Sequence, residues 1–209
     1  MAQLELVRRA PVIEAPAGPP RADHFAISQM VRDGARVLDI GCGDGALIEV
    51  LNRECGARAR GLEIDQRKVN ACVARGLSVV QGDAERDLAE YPSGSFDYVI
   101  FSHALQCLQR PLAALKEAAR VGDRVIVSVR NAGHWRPRLR MALSGRLAQW
   151  DADILHPCSV RDFGLMARDM RLTTERAFPI SGDHQGAPFA KTLWRANWFA
   201  EQAVFLLAP

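Results

Sequence analysis

Residues 37 to 45 read Val37-Leu38-Asp39-Ile40-Gly41-Cys42-Gly43-Asp44-Gly45, and they constrain the architecture more tightly than any other stretch. Arg36 to Ile40 has the length and apolar content of a buried strand, and Ala46 to Arg53 follows with helical spacing. Three glycines at alternate positions between a strand and a helix let backbone amides approach a ligand closely. The helix start adds unpaired N–H donors for a carboxylate or phosphate. As a bare pattern the loop is ambiguous. Gly41, Gly43 and Ala46 also satisfy a loose dinucleotide fingerprint, with Glu63 standing about 20 residues on, where a ribose-binding acid belongs. A glycine turn that holds no ligand is the plain alternative to both.

Charge separates the two ligand readings. Asp39 and Asp44 flank the glycines, and a carboxylate about 5 Å from a pyrophosphate oxygen costs about 3 kcal/mol per unit charge at an effective dielectric near 20. S-adenosylmethionine carries instead an ammonium and a sulfonium beside one carboxylate, so glycine amides can take the carboxylate while the aspartates favour the cations. The stretch therefore predicts a site for S-adenosylmethionine, or its demethylated product S-adenosylhomocysteine, in preference to a nicotinamide dinucleotide.

Working outward, strand patterns at Ala59 to Ile64, Leu77 to Val80, Phe96 to Phe101 and Arg124 to Val129 alternate with helical patterns at Arg67 to Arg75 and Leu112 to Arg120. Beyond Val129, Pro137 sits in the first turn of a helix carrying Leu139, Leu143 and Leu147. Ser159 and Asp162 form a capping signature for a helix through Met170, and Leu172 to Phe178 and Phe199 to Leu207 read as two more strands. The expected fold class is α/β: a mostly parallel seven-stranded sheet with helices on both faces. Ligands of such sheets bind beyond the carboxyl ends of the strands. There Glu63 is placed to accept the ribose hydroxyls, with solvated strand end as its alternative. Asp83, after Gly82, is placed to accept the adenine amino group or simply to make a turn, and Ser102 to Ala104 would lie under the methyl donor.

The chain has 209 residues, 48% apolar and 24% charged, with a net charge of +3. That length suits one domain, expected over residues 21–209, and excludes a disordered or collagen-like chain. Positions 1–20, with Pro11, Pro16, Pro19, Pro20 and Gly18, read as a flexible leader. The balance of charge argues against a protein whose main work is neutralising nucleic-acid phosphates. No secretory signal or membrane-spanning run is present, and five cysteines without paired metal-ligand spacing fit a reducing, cytoplasmic setting and no metal site. His156 and Cys158 alone do not make a zinc site.

The glycine loop, Gly61 to Asp65, Gly82-Asp83 and Phe96 to Leu105, in this order, resemble the Rossmann-like S-adenosylmethionine-dependent methyltransferases over roughly residues 35 to 130. The resemblance implies cofactor contacts by Asp39, Gly41, Cys42, Gly43 and Gly45, by Glu63 and Ile64, by Asp83 and Ala84, and by Ser102. A narrower resemblance covers most of the chain beyond residue 20. Arg36 to Leu47, Val80 to Asp83, Ser95 to Val99, Asn131 to Leu139 with its Gly133-His134-Trp135-Arg136 core, His156 to Phe163 and Ala200 to Phe205 are similar to the MetW family of methionine-biosynthesis proteins. That family is found beside a homoserine O-acyltransferase, so the resemblance implies an accessory, activating role toward such an enzyme. The segment Ser144 to Leu155 is shorter than its counterpart in the family.

Catalytic residues are not assigned by the sequence. His103 and His134 are the candidates for a base, each with a scaffold alternative, and where many small-molecule methyltransferases carry Glu-His after the fourth strand this chain has Gln106-Cys107. There is no Gly-x-Ser-x-Gly elbow, so acyl transfer would have to occur on a partner. Residues 130 to 146 carry Arg130, Arg136, Arg138, Arg140 and Arg146 and no acid, a local charge of +5 against −2 for the rest. Beside an apolar stripe this suits docking on an acidic protein. A solvated helix face is the bland alternative, and with only Trp135 and Trp150 to stack bases a nucleic-acid surface is not expected. An active methyltransferase on a small molecule is the second functional expectation.

Overall fold

Strands that are apolar on both pleat faces need cover on both sides. The computed structural model, which describes residues 20–145, 153–189 and 193–209, supplies that cover. Helix α1 (Ala22–Ser28) precedes five parallel strands, β1 (Arg36–Ile40), β2 (Arg58–Glu63), β3 (Val79–Gln81), β4 (Phe96–Ser102) and β5 (Gly122–Arg130). Between them run α2 (Ala46–Cys55), α3 (Gln66–Ala74), the single-turn α4 (Ala84–Asp87) and α5 (Pro111–Val121). There follow α6 (Trp135–Ser144), α7 (Val160–Asp169), β6 (Thr173–Ser181), β7 (His184–Gln185), α8 (Leu193–Phe199) and β8 (Gln202–Ala208). The sheet order is β3-β2-β1-β4-β5-β8-β6-β7, with β8 inserted antiparallel between β5 and β6.

Alternation along the strands sorts the core into two layers. Leu38, Ile40, Val99, Phe101, Val125 and Val127 pack on the face shared with α5 and α7, whereas Val37, Tyr98, Ile100 and Ile126 pack on the face shared with α1 and α2. The Rossmann-like methyltransferase architecture expected from the sequence is what forms. The strand count is corrected from seven to eight. The extra strand is the two-residue β7, paired with β6 across a turn in which Gly182 has φ +55°, too short to show any alternation of its own. Phe199, expected to open the last strand, instead closes α8. Helices α1, α4 and α8 had no counterpart in the sequence reading. The Ser159 capping box is present in both directions, with the Ser159 hydroxyl accepting from the Asp162 amide and the Asp162 carboxylate from the Ser159 amide. Residues 1–19 of the expected leader, together with Arg146, Leu147 and Trp150, lie outside the described residues.

The chain passes outward from β1 to β3, then returns to β4 on the other side of β1. The carboxyl ends of β1 and β4 thus flank the topological switch point, where doubly wound sheets open a crevice.

Candidate functional site: an acidic crevice over the glycine loop

The loop after β1 folds as its glycines require. Gly41, Gly43 and Gly45 all have positive φ, at +68°, +58° and +78°. A Cβ on Gly41 would stand 2.9 Å from the Cβ of Ala104, whereas nothing lies within 4 Å of one on Gly43. The loop is therefore pinned at Gly41 and open at Gly43, where a ligand can reach the backbone. The Cys42 side chain is buried against Gly61, so Cys42 offers the crevice only its backbone.

Glu63, at the end of β2, sits beside this opening. Its carboxylate accepts from the Gly43 amide at 2.8 Å and from the Asp65 amide at 3.0 Å, one bond per oxygen, so it braces the loop from across the strand. Each oxygen retains lone-pair capacity for a further donor. Ile64 next to it leaves two-thirds of its surface exposed. Asp83 caps α4 by accepting from the Glu85 amide at 3.0 Å, and the following Ala84 is buried at the start of that helix.

Asp39 departs from the simple picture of two carboxylates flanking the loop. It is 1% exposed, and its Oδ1 has no hydrogen-bond partner. Burial, reinforced by the nearby Asp23 and Glu63 carboxylates and opposed by Arg21, pushes its carboxyl up to about 8, so at neutral pH it holds a proton. Asp44, by contrast, lies exposed on the rim.

Beneath the crevice lies a polar cluster built largely from α1. The fully buried Asp23 accepts from Arg21 at 2.9 and 3.1 Å, from the Ser102 hydroxyl at 2.8 Å and from the Ser128 hydroxyl at 3.2 Å. Ser102 in turn accepts from Arg21 at 2.6 Å. Burial would raise the Asp23 carboxyl, but the Arg21 hydrogen bond and His103 prevail and hold it well below the usual carboxylate range. His24 is buried with its Nδ1 unpartnered, and desolvation lowers it to about 4. His103, with φ +57°, places Nε2 2.6 Å from the Gln202 side-chain oxygen and 3.9 Å from Asp23. Arg21, Asp23, His24, Ser128 and Gln202 were missed by the sequence reading. The available signal was an acid in a first helical turn directly after Pro19-Pro20.

The other catalytic candidate, His134, caps α6. Its Nδ1 accepts from the Arg136 amide at 3.3 Å, and it stacks at 5.8 Å from Trp135. Gln106 is likewise structural. Its side chain accepts from the Arg130 amide at 2.8 Å and donates to the carbonyls of Arg130 and His156, tying the end of β5 to the segment before α7. Among the described residues no cluster of three or more His, Cys, Asp or Glu is placed to hold a metal, and no helix is long and apolar enough to cross a membrane.

The fold is shared with solved S-adenosylmethionine-dependent methyltransferases. One from Thermotoga maritima superposes with a TM-score of 0.64 at 16% identity, covering 88% of this chain and 86% of that one. One from Archaeoglobus fulgidus gives 0.61 at 15%, covering 89% and 94%. Among curated proteins, the "Bifunctional methionine biosynthesis protein MetXA/MetW" of Rhodopirellula baltica is 29% identical over 169 residues, which are 77% of this chain and 25% of that protein. The "Ubiquinone biosynthesis O-methyltransferase" of Xanthomonas oryzae pv. oryzae is 34% identical over 121 residues, 54% of this chain and 50% of that enzyme. The chain thus spans a quarter to a half of these relatives. The family model described as "Methionine biosynthesis protein MetW" matches residues 21–207, nearly all of the described chain. This protein belongs to the MetW family.

Proposed function

We propose that the crevice over Gly41 to Gly45 takes S-adenosylmethionine or S-adenosylhomocysteine, and that the chain serves methionine biosynthesis in the cytoplasm as the activating partner of a homoserine O-acyltransferase. The observation that carries the ligand reading is the buried, unpartnered Oδ1 of Asp39 beneath a loop that is open at Gly43. An orphaned carboxyl oxygen is costly unless a donor arrives, and an ammonium is the donor that such a group favours most. The residues fit the ligand: the backbone of the Gly41 to Gly45 loop, open at Gly43, for its methionine portion, Asp39 for its cations, the remaining lone pairs of Glu63 for ribose hydroxyls, and exposed Ile64 with Asp83 for the adenine. Bound S-adenosylmethionine supplies an electrophilic methyl group on sulfur.

The partner reading is supported by family membership and by the relative whose name joins MetXA and MetW in one bifunctional chain. It is also supported by the scaffold role of His134, which removes one of the two histidines that could act as a base. Calorimetry with S-adenosylmethionine, S-adenosylhomocysteine and NAD tests the ligand; heat with NAD alone overturns it. Acylation assays of the acyltransferase with and without this chain test the partner, and identical rates overturn it.

One observation favours a second reading, an active small-molecule methyltransferase. His103 lies half-buried beside Ser102 with the Asp23 carboxylate 3.9 Å away, a pairing able to hold a proton taken from an acceptor. Turnover of S-adenosylmethionine with a metabolite acceptor, lost in His103→Ala, would establish it.

A further inference from the structure

The helix after β5 is unusual for its lack of a buried side. None of the residues of α6 is buried, although it carries Trp135, Leu139, Met141 and Leu143, the last 80% exposed. An amphipathic helix normally hides its apolar stripe. Across from it, α8 exposes Trp194, Trp198 and Phe199, at 58%, 41% and 60%. The two helices meet where the Arg138 guanidinium lies over the Trp198 ring, 4.2 Å from its centroid, while its Nε donates to the Gly133 carbonyl at 2.6 Å. Between them and the start of α7 runs a groove of about 420 Å³ lined by Gly133, Arg138, Arg161, Asp162, Trp194 and Trp198.

The charge on this face is one-sided. Neither α6 nor α8 contains an acid, and among the described residues no carboxylate pairs with Arg138, Arg140, Arg161 or Arg195; Arg136 alone reaches Glu201, at 3.3 Å. Asp162, the one acid lining the groove, is occupied in the α7 capping box. A second copy of this chain is the wrong occupant, because a two-fold contact would set arginines against arginines. Arginine and tryptophan, clustered around a groove and rimmed by leucine and methionine, are the residues that dominate binding energy between proteins.

We infer that the α6–α8 face is a docking surface for an acidic protein, which inserts carboxylate side chains beside Arg138 and Arg161 and lays apolar residues on Leu139, Leu143 and Trp194. This rests on the proposed function for the identity of the partner, and assigns the surface by which it is held. Because α6 buries no residue, its substitution leaves the core intact.

The test is a titration of the source organism's homoserine O-acyltransferase into the full-length chain. It compares the native protein with R136E/R138E/R140E and with L139A/L143A, each checked for an unchanged urea midpoint. The charge reversal is expected to weaken binding at least tenfold and to flatten its dependence on NaCl between 50 and 500 mM, and the double alanine variant to weaken it several-fold. If the native chain binds and both variants bind equally well, the surface is elsewhere and the proposed partnership stands. If the native chain does not bind the acyltransferase, the partnership fails first. Tighter binding to phosphatidylglycerol vesicles or to a single-stranded RNA than to the acyltransferase would overturn the assignment to a protein.

Discussion

Replacing Asp39 by Asn isolates the most perturbed carboxyl of the crevice. In the unfolded chain it titrates near 3.8; burial raises it to about 8 in the fold. Between those values the unfolded state has released the proton and the native state keeps it, so stability falls as pH rises, by about 1.4 kcal/mol per unit at most. By pH 7 the loss amounts to about 4 kcal/mol relative to pH 4, a large share of the 5 to 15 kcal/mol that typically holds a domain together. His24 acts in the opposite sense. Buried neutral and lowered to about 4, it adds stability as pH rises toward 6.5, and His103 and His134, lowered by the same desolvation, act in the same direction, so the native protein alone does not report Asp39. The informative quantity is therefore the difference between native protein and Asp39→Asn in urea unfolding at several pH values. It should grow in favour of the variant from pH 4 to 8 and level off above. The same group reports on the ligand. At pH 7 this raised carboxyl is mostly protonated in the native protein, and a bound cation favours release of the proton. Calorimetry with S-adenosylmethionine in buffers of different ionisation heat should thus show close to one proton released, and none from Asp39→Asn. Parallel stability curves for the two proteins would refute the reasoning, because they would mean that Asp39 titrates alike folded and unfolded.

Gly41→Ala must adopt a left-handed conformation and bring its methyl to 2.9 Å from Ala104, so a loss of about 1 to 2 kcal/mol in urea unfolding and a weaker S-adenosylmethionine isotherm are expected. Asn131→Ala removes a side chain that donates to the carbonyls of Ala196, Asn197 and Ala200 and accepts from the amides of Gly133 and Val160; about 3 to 5 kcal/mol should be lost, read as a fall in urea midpoint. Asp23→Asn should cost about 2 to 3 kcal/mol at pH 7. Because the native carboxyl is depressed, its contribution is present above about pH 4 and is lost on acidification, so the penalty of the variant should shrink in unfolding curves taken below that pH.

The parallel half of the sheet and the glycine loop were legible because both are written locally. Strands buried on two faces appear as short apolar runs, and the αL turns at Gly41 to Gly45 need the residues that stand there. The floor of the crevice was not legible, because its partners are distant in sequence. Asp23 pairs locally with Arg21, but the hydroxyls that complete its surroundings come from Ser102 and Ser128, 79 and 105 positions away. Asp39 illustrates the opposite error: its position beside the loop was correct, but sequence gives no depth, and depth reverses its charge state at neutral pH. For α8, Leu-Trp-Arg-Ala-Asn-Trp-Phe has the aromatic content of a strand, and only its packing against α7 and the Asn131 bracket makes it a helix.

The acidic crevice and the basic outer face are joined by consecutive residues. His103 in the crevice holds Gln202, whose neighbour Glu201 accepts from the Asn131 amide through its carbonyl and from Arg136 of α6 through its carboxylate. Spatial continuity is not coupling; coupling is a difference in free energy between two states, and it is reciprocal. If the proposed ligand displaces His103 or Gln202 and the proposed acyltransferase docks on α6, then each must change the affinity for the other by the same factor. Gln202→Ala cuts the link at its midpoint while leaving the glycine loop and α6 untouched. The expected result is that each partner still binds alone with native affinity but the factor linking them moves toward one, measured by titrating each in the presence and absence of the other. A factor that differs from one in the native chain and is unaltered in Gln202→Ala would show that communication takes another route.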